Sequence, residues 1–486
     1  MKTNVQRALK ALLIPICLCY ANLAAQDGHY WTQHYGTRSI LLSNSVIGGA
    51  EDLGAVFYNP ARLGLIKNPA FLISADVYEW QRLKIEDAFG ETADLSRSDF
   101  GGIPSLTAGT FKLGFLKGHR FAYSILIRQR LDFDVNYRNE VFGDVLEQFP
   151  GEEYFSGAIR YRHEIQEQWF TLSWSWPVKE WLSVGLNTTG ALYDQKKGNQ
   201  IDLQALTERD QTAIYNFDRN FSFTNYGLLW KAGVAAEFPR WRAGLTITTP
   251  TLVVAGKGKY RYEEFFSGVA QESTNEDVYT TNTQKDISTT HRTPWAIGLG
   301  STFLLGRHKL HVSGEWYSQI PRYTLLQSEP HTSQSSGEVR SFQLVDELNA
   351  VVNAGIGAEF YLSEKISLYA SGSTDFSAVG NDIARFSENL PEARNSVISA
   401  DFYHAALGLF FDFPGLDLTL GAARTGARQK FARPIDFPEE GDEGDDGIFD
   451  PDEFGTLKWE RWRLIFSISV PFLKDRLDKG LLGKEE

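Results

Sequence analysis

Cysteine is nearly missing from this 486-residue chain: the two that occur, Cys17 and Cys19, both fall within the first 25 positions. Beyond them there is no disulfide framework, no thiol nucleophile and no cysteine metal site to consider. Long hydrophobic runs are missing too, since no later segment approaches the roughly eighteen apolar residues that a membrane-spanning helix needs. Positive charge is in deficit: 48 Lys and Arg stand against 61 Asp and Glu, a formal net charge of −13. That balance argues against nucleic acid as a partner. The nine histidines are scattered, with no His-x-x-x-His or similar ligand pair, and no nucleotide-binding signature occurs. No metal, cofactor or enzyme activity is expected.

What is present begins with an export signal. Lys2, Arg7 and Lys10 form a positive start, Ala11 to Tyr20 a short apolar core, and Leu23-Ala24-Ala25 a small-residue cleavage site before Gln26. No small residue directly precedes Cys17 or Cys19, so a lipoprotein site is not expected. Removing residues 1–25 takes the net charge to about −16. An exported chain of this size is either a large periplasmic protein or a membrane protein made of strands.

The strands decide between these. Phe121, Tyr123, Ile125, Ile127, Leu131, Phe133 and Val135 share one parity, and Ala122, Ser124, Arg128, Arg130, Asp132 and Asp134 share the other. A period of two held for some fifteen residues gives one lipid-compatible face and one face that needs water or partners. The alternation returns in Phe170-Leu172-Trp174-Trp176, in Leu182-Val184-Leu186, and in Leu310-Val312-Trp316 against His311-Ser313-Glu315. It is cleanest in Trp462-Leu464-Phe466-Ile468-Val470-Phe472 against Arg461, Arg463, Ser467 and Ser469. Trp176, Trp181 and Trp241 lie beside short turns, as an interfacial girdle requires.

Counting such segments gives about fourteen strands. They fall near 70–82, 105–115, 119–137, 164–176, 181–196, 225–238, 240–262, 291–304, 307–326, 350–361, 365–376, 400–413, 416–430 and 457–472. Short turns alternate with long polar connections, the asymmetry of an outer-membrane barrel. The expected class is all-β: a transmembrane antiparallel β-barrel, which crosses lipid without a long hydrophobic run because every backbone hydrogen bond is made between strands.

One stretch, 48–65, has no counterpart elsewhere. Gly48, Gly49, Gly54 and Gly64 punctuate it, and Asn59-Pro60 is a turn-starting pair. Such a run suits a compact plug. Glu51-Asp52 followed by Phe57-Tyr58-Asn59-Pro60-Ala61-Arg62-Leu63 resembles the N-terminal hatch of the FadL/TodX family, outer-membrane channels for long-chain fatty acids and other hydrophobic compounds. The resemblance covers some thirty residues closely. It implies a fourteen-stranded barrel with a hatch, capture at outer loops, transfer to a lumen site near the hatch, and release when the hatch rearranges. The family's lateral exit depends on a kink in the third strand, and 119–142 here contains neither Gly nor Pro.

The expected organisation is a signal peptide at 1–25, a hatch at 26–68, a barrel at 69–472 and a charged periplasmic tail at 473–486. Phe57, Tyr58, Asn59, Pro60, Ala61 and Arg62 are the expected hatch residues. Arg128 and Arg130 are candidate lumen residues that either bind a fatty-acid carboxylate or pair with carboxylates such as Asp132 and Asp134. His311 and Ser313 share a lumen face without an acid partner or oxyanion motif, which points to plain polar lining. Asp442, Asp446, Gly447 and Glu453 match part of a calcium-loop template, but Gly444 stands at the third ligand position. That segment reads as a solvated acidic loop, with divalent-cation binding as the alternative. The expected function is passive uptake of hydrophobic small molecules across the outer membrane. The alternatives are a secretion shuttle with a secreted protein partner, and a general porin. Expected partners are a hydrophobic or lipid substrate and outer-membrane lipids.

Overall fold

The computed structural model describes residues 28–66, 71–73, 77–90, 93–103, 106–144, 146, 151–268, 277–380, 392–396, 399–414, 416–433, 435–438 and 454–470. The expected signal peptide, the calcium-template positions at 442–453 and the tail at 473–486 lie outside them. No helix among the described residues is long and apolar enough to cross a membrane.

The strands are β1 (Phe71–Ile73), β2 (Val77–Glu86), β3 (Leu95–Ile103), β4 (Leu106–Phe111), β5 (Arg120–Gly143), β6 (Glu153–Lys179), β7 (Leu182–Thr207) and β8 (Thr212–Glu237). Next come β9 (Trp241–Thr248), β10 (Leu252–Ser267), β11 (Val278–Ser288), β12 (Ala296–Leu305), β13 (His308–Tyr317), β14 (Ile320–Gln327), β15 (His331–Thr332) and β16 (Val339–Arg340). The remainder are β17 (Gln343–Leu348), β18 (Val351–Ser363), β19 (Ile366–Asp375), β20 (Glu392–Arg394), β21 (Phe402–Phe413), β22 (Leu416–Ala432) and β23 (Phe454–Val470).

One large antiparallel sheet contains most of them. β4 through β8 pair in succession, and β8 pairs with both β9 and β10. The ladder continues through β11 and β12, then β13, β18, β19, β21, β22 and β23. β23 pairs with β1 and β2, which pair in turn with β4 and β3, so the order of neighbours is cyclic. A smaller sheet, β14-β17-β20, folds across the interior at the end with long connections. There Lys197 Nζ on β7 donates to the carbonyls of Arg394 and Asn395 at 2.7 and 2.8 Å.

Several strands outrun their expected bounds. β5, β6, β7 and β8 have 24, 27, 26 and 26 residues. At about 3.3 Å per residue, 26 residues reach about 85 Å, whereas about 9–11 tilted residues cross a bilayer. The region from 197 to 224, expected as a loop, is the upper part of a hairpin that turns between Thr207 and Thr212, where Thr207 N donates to Gln211 O at 2.9 Å. A β2–β3 hairpin also replaces loop around 86–95.

The two ends of these strands are patterned oppositely. Near the short turns the outward row Ile125, Phe170, Gly190, Leu228 and Leu252 runs across β5, β6, β7, β8 and β10. Two rows nearer the long loops, the outward residues are Arg130, Gln166, Asp194, Thr224 and Lys257. The inner face switches the other way. Ser124, Thr171, Ser173, Ser175, Ser183, Asn187 and Thr189 are buried at the short-turn end. Leu131, Val135, Phe155, Ile159, Ile165, Ile201, Leu203 and Phe217 are buried at the far end.

Residues 28–66 fill the interior of the short-turn end. Three brief helical turns, Ser39–Leu42, Ala55–Tyr58 and Pro60–Gly64, are all the regular structure they contain. The glycines there serve close approach between two backbones. A Cβ on wall residue Gly185 would lie 2.4 Å from Ala61 N, and one on Gly300 would lie 2.6 Å from Gly48 N.

Candidate functional site between the N-terminal segment and the wall

Asp52 organises the first half of the segment. Its carboxylate accepts from Arg38 N, Ser39 N, Ser39 Oγ and Gly54 N at 2.7–2.9 Å, meeting amides that the short turns leave unpaired. Neighbouring Glu51 points to the wall, where Lys309 Nζ lies 2.7 Å away and the Arg242 guanidinium also pairs with it. Burial alone would raise the pKa of Glu51, but Lys309 and Arg242 outweigh it and hold the carboxyl below the usual carboxylate range.

The Asn-Pro corner performs three tasks. Asn59 Oδ1 accepts from Ala61 N at 3.1 Å, capping the Pro60–Gly64 turn, and Asn59 Nδ2 donates to Ile47 O and to wall residue Val234 O, both at 3.1 Å. Proline suits the first position of that turn because its missing amide has no partner to lose there. Ala61 O accepts from Ser175 Oγ at 3.2 Å. Arg62 is 1% exposed; its Nη2 donates to Glu237 Oε1 at 2.7 Å and its Nε to Ala50 O at 3.2 Å. Tyr58 OH accepts from Tyr35 N at 2.9 Å. Phe57 turns toward a cavity.

That cavity lies between the segment and the wall, lined by Tyr30, Phe57, Trp169, Leu229 and Tyr317 with Arg128, Lys231 and Glu315 as its charged groups. About 40 Å³ of it is open to the centre of a water-sized sphere, room for a few waters. A larger guest therefore requires side chains or the segment to move. Arg128 Nη2 donates to Tyr30 O at 2.8 Å and stands over the Phe57 and Trp169 rings at 5.7 and 5.5 Å. Lys231 Nζ donates to Phe57 O at 2.9 Å and lies 4.9 Å from the same ring. Glu315 Oε2 already accepts from Trp31 Nε1 and Tyr317 OH at 2.8 and 2.6 Å. Both cations thus reach main-chain carbonyls of the segment, the weak acceptors that an anion displaces most readily.

Arg130 does not join Arg128. The β5–β6 register shifts between Ile127 and Gln129, and this bulge changes which parity faces inward. Arg128 and Gln129 are both buried, whereas Arg130 is exposed on the outer surface. Asp132 and Asp134 follow Arg130 onto the outer parity, where Arg160 Nη2 meets Asp134 Oδ2 at 2.6 Å and Arg97 meets Asp132 at 3.6 Å. Among the described residues the expected pairing of Arg128 and Arg130 with these carboxylates is not formed, because Arg97 and Arg160 take their place. Tyr35 OH donates to Ile127 O at 2.8 Å, satisfying a carbonyl beside the bulge. Beyond Leu126, among the described residues, β5 has no ladder partner on the β3 side, and Arg97 Nη1 crosses to Asp134 O at 2.9 Å instead.

His311 and Ser313 are both buried on the inner face, and each has a structural partner. His311 Nδ1 bonds Thr302 Oγ1 at 2.9 Å, and Ser313 Oγ accepts from Ile47 N at 3.1 Å. Among the described residues no group of His, Cys, Asp or Glu could hold a metal ion. Lys231, Trp169 and Tyr30 escaped notice in the sequence. The available signal for Lys231 was a single charge within Gly227, Leu229, Gly233 and Ala235, on a face otherwise built to touch another backbone.

No protein-family model and no curated protein matches the chain. Solved structures do. A FadL homologue from Pseudomonas aeruginosa superposes with a TM-score of 0.51 at 13% identity, over 93% of this chain and 100% of that one. The toluene transporter TodX of Pseudomonas putida gives 0.52 at 11% identity, over 90% and 98%. The monoaromatic hydrocarbon channel CymD gives 0.51 at 9%, over 90% and 97%. The chain therefore has the fold of the FadL and TodX channels, along nearly its whole length.

Proposed function

We propose that the chain is an outer-membrane channel, not an enzyme, for passive uptake of hydrophobic small molecules that carry an acidic head group, long-chain fatty acids among them. In this reading the cyclic ladder is a closed barrel. Counting β1 with β2, β3 with β4, β9 with β10 and β11 with β12 as single crossings gives about fourteen strands, an even number, as bacterial barrels have. Residues 26–68 are the hatch, the apolar outward rows near the short turns meet lipid, and the long-loop end stands in external water.

The observation that carries the reading is the cavity. Aromatic walls suit an apolar body, and two buried cations spending hydrogen bonds on hatch carbonyls suit a carboxylate. A carboxylate arriving there takes the place of Tyr30 O and Phe57 O, so occupying the site loosens the hatch at two points. Two of the three neighbours are named as a toluene transporter and a monoaromatic hydrocarbon channel; the cation pair is what turns the proposal here toward acids. The unpaired seam beside the β5 bulge is the proposed lateral way out of the wall.

Uptake into proteoliposomes tests this. Labelled dodecanoate should enter, and Arg128→Gln should cut its uptake about tenfold, the equivalent of about 1.4 kcal/mol, while leaving toluene entry unchanged. Steady flux of small sugars with no dodecanoate uptake would make the protein a general porin. A stoichiometric secreted protein on the purified barrel, again without uptake, would make it a shuttle.

A further inference from the structure

The N-terminal segment is gripped by cations on its other flank as well. Inward residues Arg461 and Arg463 of β23 are 3% and 4% exposed. Arg461 Nη2 donates to Thr32 O at 2.7 Å, and its nearest carboxylate, Glu79, is 3.8 Å away. Arg463 reaches only the Gln33 side chain at 3.4 Å and His34 Nδ1 at 3.1 Å; among the described residues no carboxylate lies within 4 Å of it. Nearby Asp375 is held by Tyr30 N, Trp31 N, Thr32 Oγ1 and Asn353 Nδ2 at 2.8–3.2 Å and by His404 Nε2 at 3.7 Å, and among the described residues it forms no ion pair with either arginine.

The result is a pocket of donors short of acceptors. Arg461 Nε is buried without a partner. His34 accepts from Arg463 through Nδ1, which puts its ring proton on Nε2, and that atom is also buried and unpartnered. Two guanidiniums against one partly buried carboxylate, with spare N–H groups beside them, leave a place for one more anion. Two oxygens on one planar group match such donors.

We infer that Arg461, Arg463 and His34 form a second binding station for the carboxylate head of the transported amphiphile, separated from the Arg128–Lys231 station by the 30–34 backbone. The inference rests on the uptake reading above. Tyr30 O faces the first station and Thr32 O the second, so a head group that frees one carbonyl and then the other passes from station to station as this short segment yields.

Titration calorimetry of the full chain in detergent with dodecanoate tests it. Wild type should bind two equivalents. Arg463→Gln should weaken one of them at least tenfold and leave the other, and Arg128→Gln should do the converse. His34→Ala, which alters the hatch and not the wall, should reproduce the Arg463→Gln loss and serves where that variant assembles poorly. Two unaltered sites in both Arg463→Gln and His34→Ala, or a single wild-type site abolished by Arg128→Gln alone, would overturn the second station and leave the uptake reading standing. No binding to wild type at all would overturn both.

Discussion

The two halves of the β5–β8 wall are built from the same continuous strands and obey opposite rules. In the half near the short turns, apolar side chains face out and Ser, Thr, Asn and Gly face in. In the half near the long loops, charges face out and Leu, Ile, Val and Phe face in. The period of two holds through β7 and through β6 as far as Pro177, and what changes along it is which parity is apolar. A strand inside lipid must put its apolar parity outward, and a strand standing in water must put it inward. On the uptake reading, the line between the rows of Phe170 and Gln166 is where lipid gives way to water. The hatch fills the half whose inner face is polar and small, so its carbonyls and amides find Ser, Asn and Lys partners there.

The comparison breaks most visibly at two positions on one face of one strand. Leu172 and Gln166 both point outward from β6, six residues apart, with Leu172 61% exposed. Leu172→Arg should cost about 2–4 kcal/mol in the bilayer, read as lost heat-modifiable migration and a lower urea midpoint. Gln166→Arg should stay within about 0.5 kcal/mol. Equal losses would mean that lipid covers both halves.

On the inner face the contrast is one of packing. A side chain at Gly185 strikes the Pro60–Ala61 backbone, whereas nothing lies within 4 Å of a Cβ at Gly101. Gly185→Val should cost about 1–3 kcal/mol of hatch docking and leave the wall intact. Proteolysis within 28–66 and leakage of small polar solutes should both rise, with migration on gels unchanged. Gly101→Val should do neither. Ser173 belongs to the same packed face, being 2% exposed, so the lower interior is filled by protein and an arginine there meets the hatch instead of open water.

Third in size is the ion cluster at Glu51. Its carboxyl is held below the usual carboxylate range, so it stabilises docking at every pH above the unfolded value of about 4.3. The contribution fades only as pH falls through the lower folded value. Docking, followed by hatch proteolysis, should therefore be flat from pH 7 to pH 5 and weaken only in strong acid. Glu51→Gln should lower it by about 1–2 kcal/mol at pH 7. A wild-type loss of docking already between pH 6 and pH 5 would assign the latch to other groups.

How much of this was legible in the chain follows from the same two-medium rule. The alternation announced strands near 119–137, 164–176 and 181–196, and the Asn59-Pro60 corner announced a compact segment, which the structure folds against the wall. The outer halves of β6, β7 and β8 were missed because their outward faces are charged, as in Arg160, Asp202 and Asp218, and charged stretches with long spacing look like loops. The partners of the hatch were missed for another reason. Lys231, Trp169 and Asp375 meet residues more than a hundred positions away, and no local pattern encodes which inward residue a folded-in segment will reach. The β5 bulge is the sharpest case. With no Gly or Pro to signal it, it depends on a cross-strand register and on a hydroxyl from Tyr35 that only the hatch can supply.

The smallest expected effect turns on that bulge. Arg128 and Arg130 share parity in the sequence, and an unbroken strand would set both into the cavity. The register shift at Ile127–Gln129 sends Arg130 to the outer surface instead, in the row of Gln166, Asp194 and Lys257. Hydrated on the wet side of the boundary, its charge is worth little to the fold, because exposed ion pairs contribute about 0–1 kcal/mol. Arg130→Gln should therefore change the urea midpoint by no more than the error of the measurement and leave dodecanoate uptake at wild-type rates. Arg128→Gln, two positions earlier, should lose about tenfold of that uptake. Deleting the extra residue of the bulge, for example Gln129, restores the even register with Arg128 still inward and Arg130 still outward. In that deletion background Arg130→Gln should remain without effect on uptake. If Arg130→Gln alone already lowers uptake in the unmodified chain, the outward assignment of the upper β5 face is wrong, and with it the level at which lipid gives way to water.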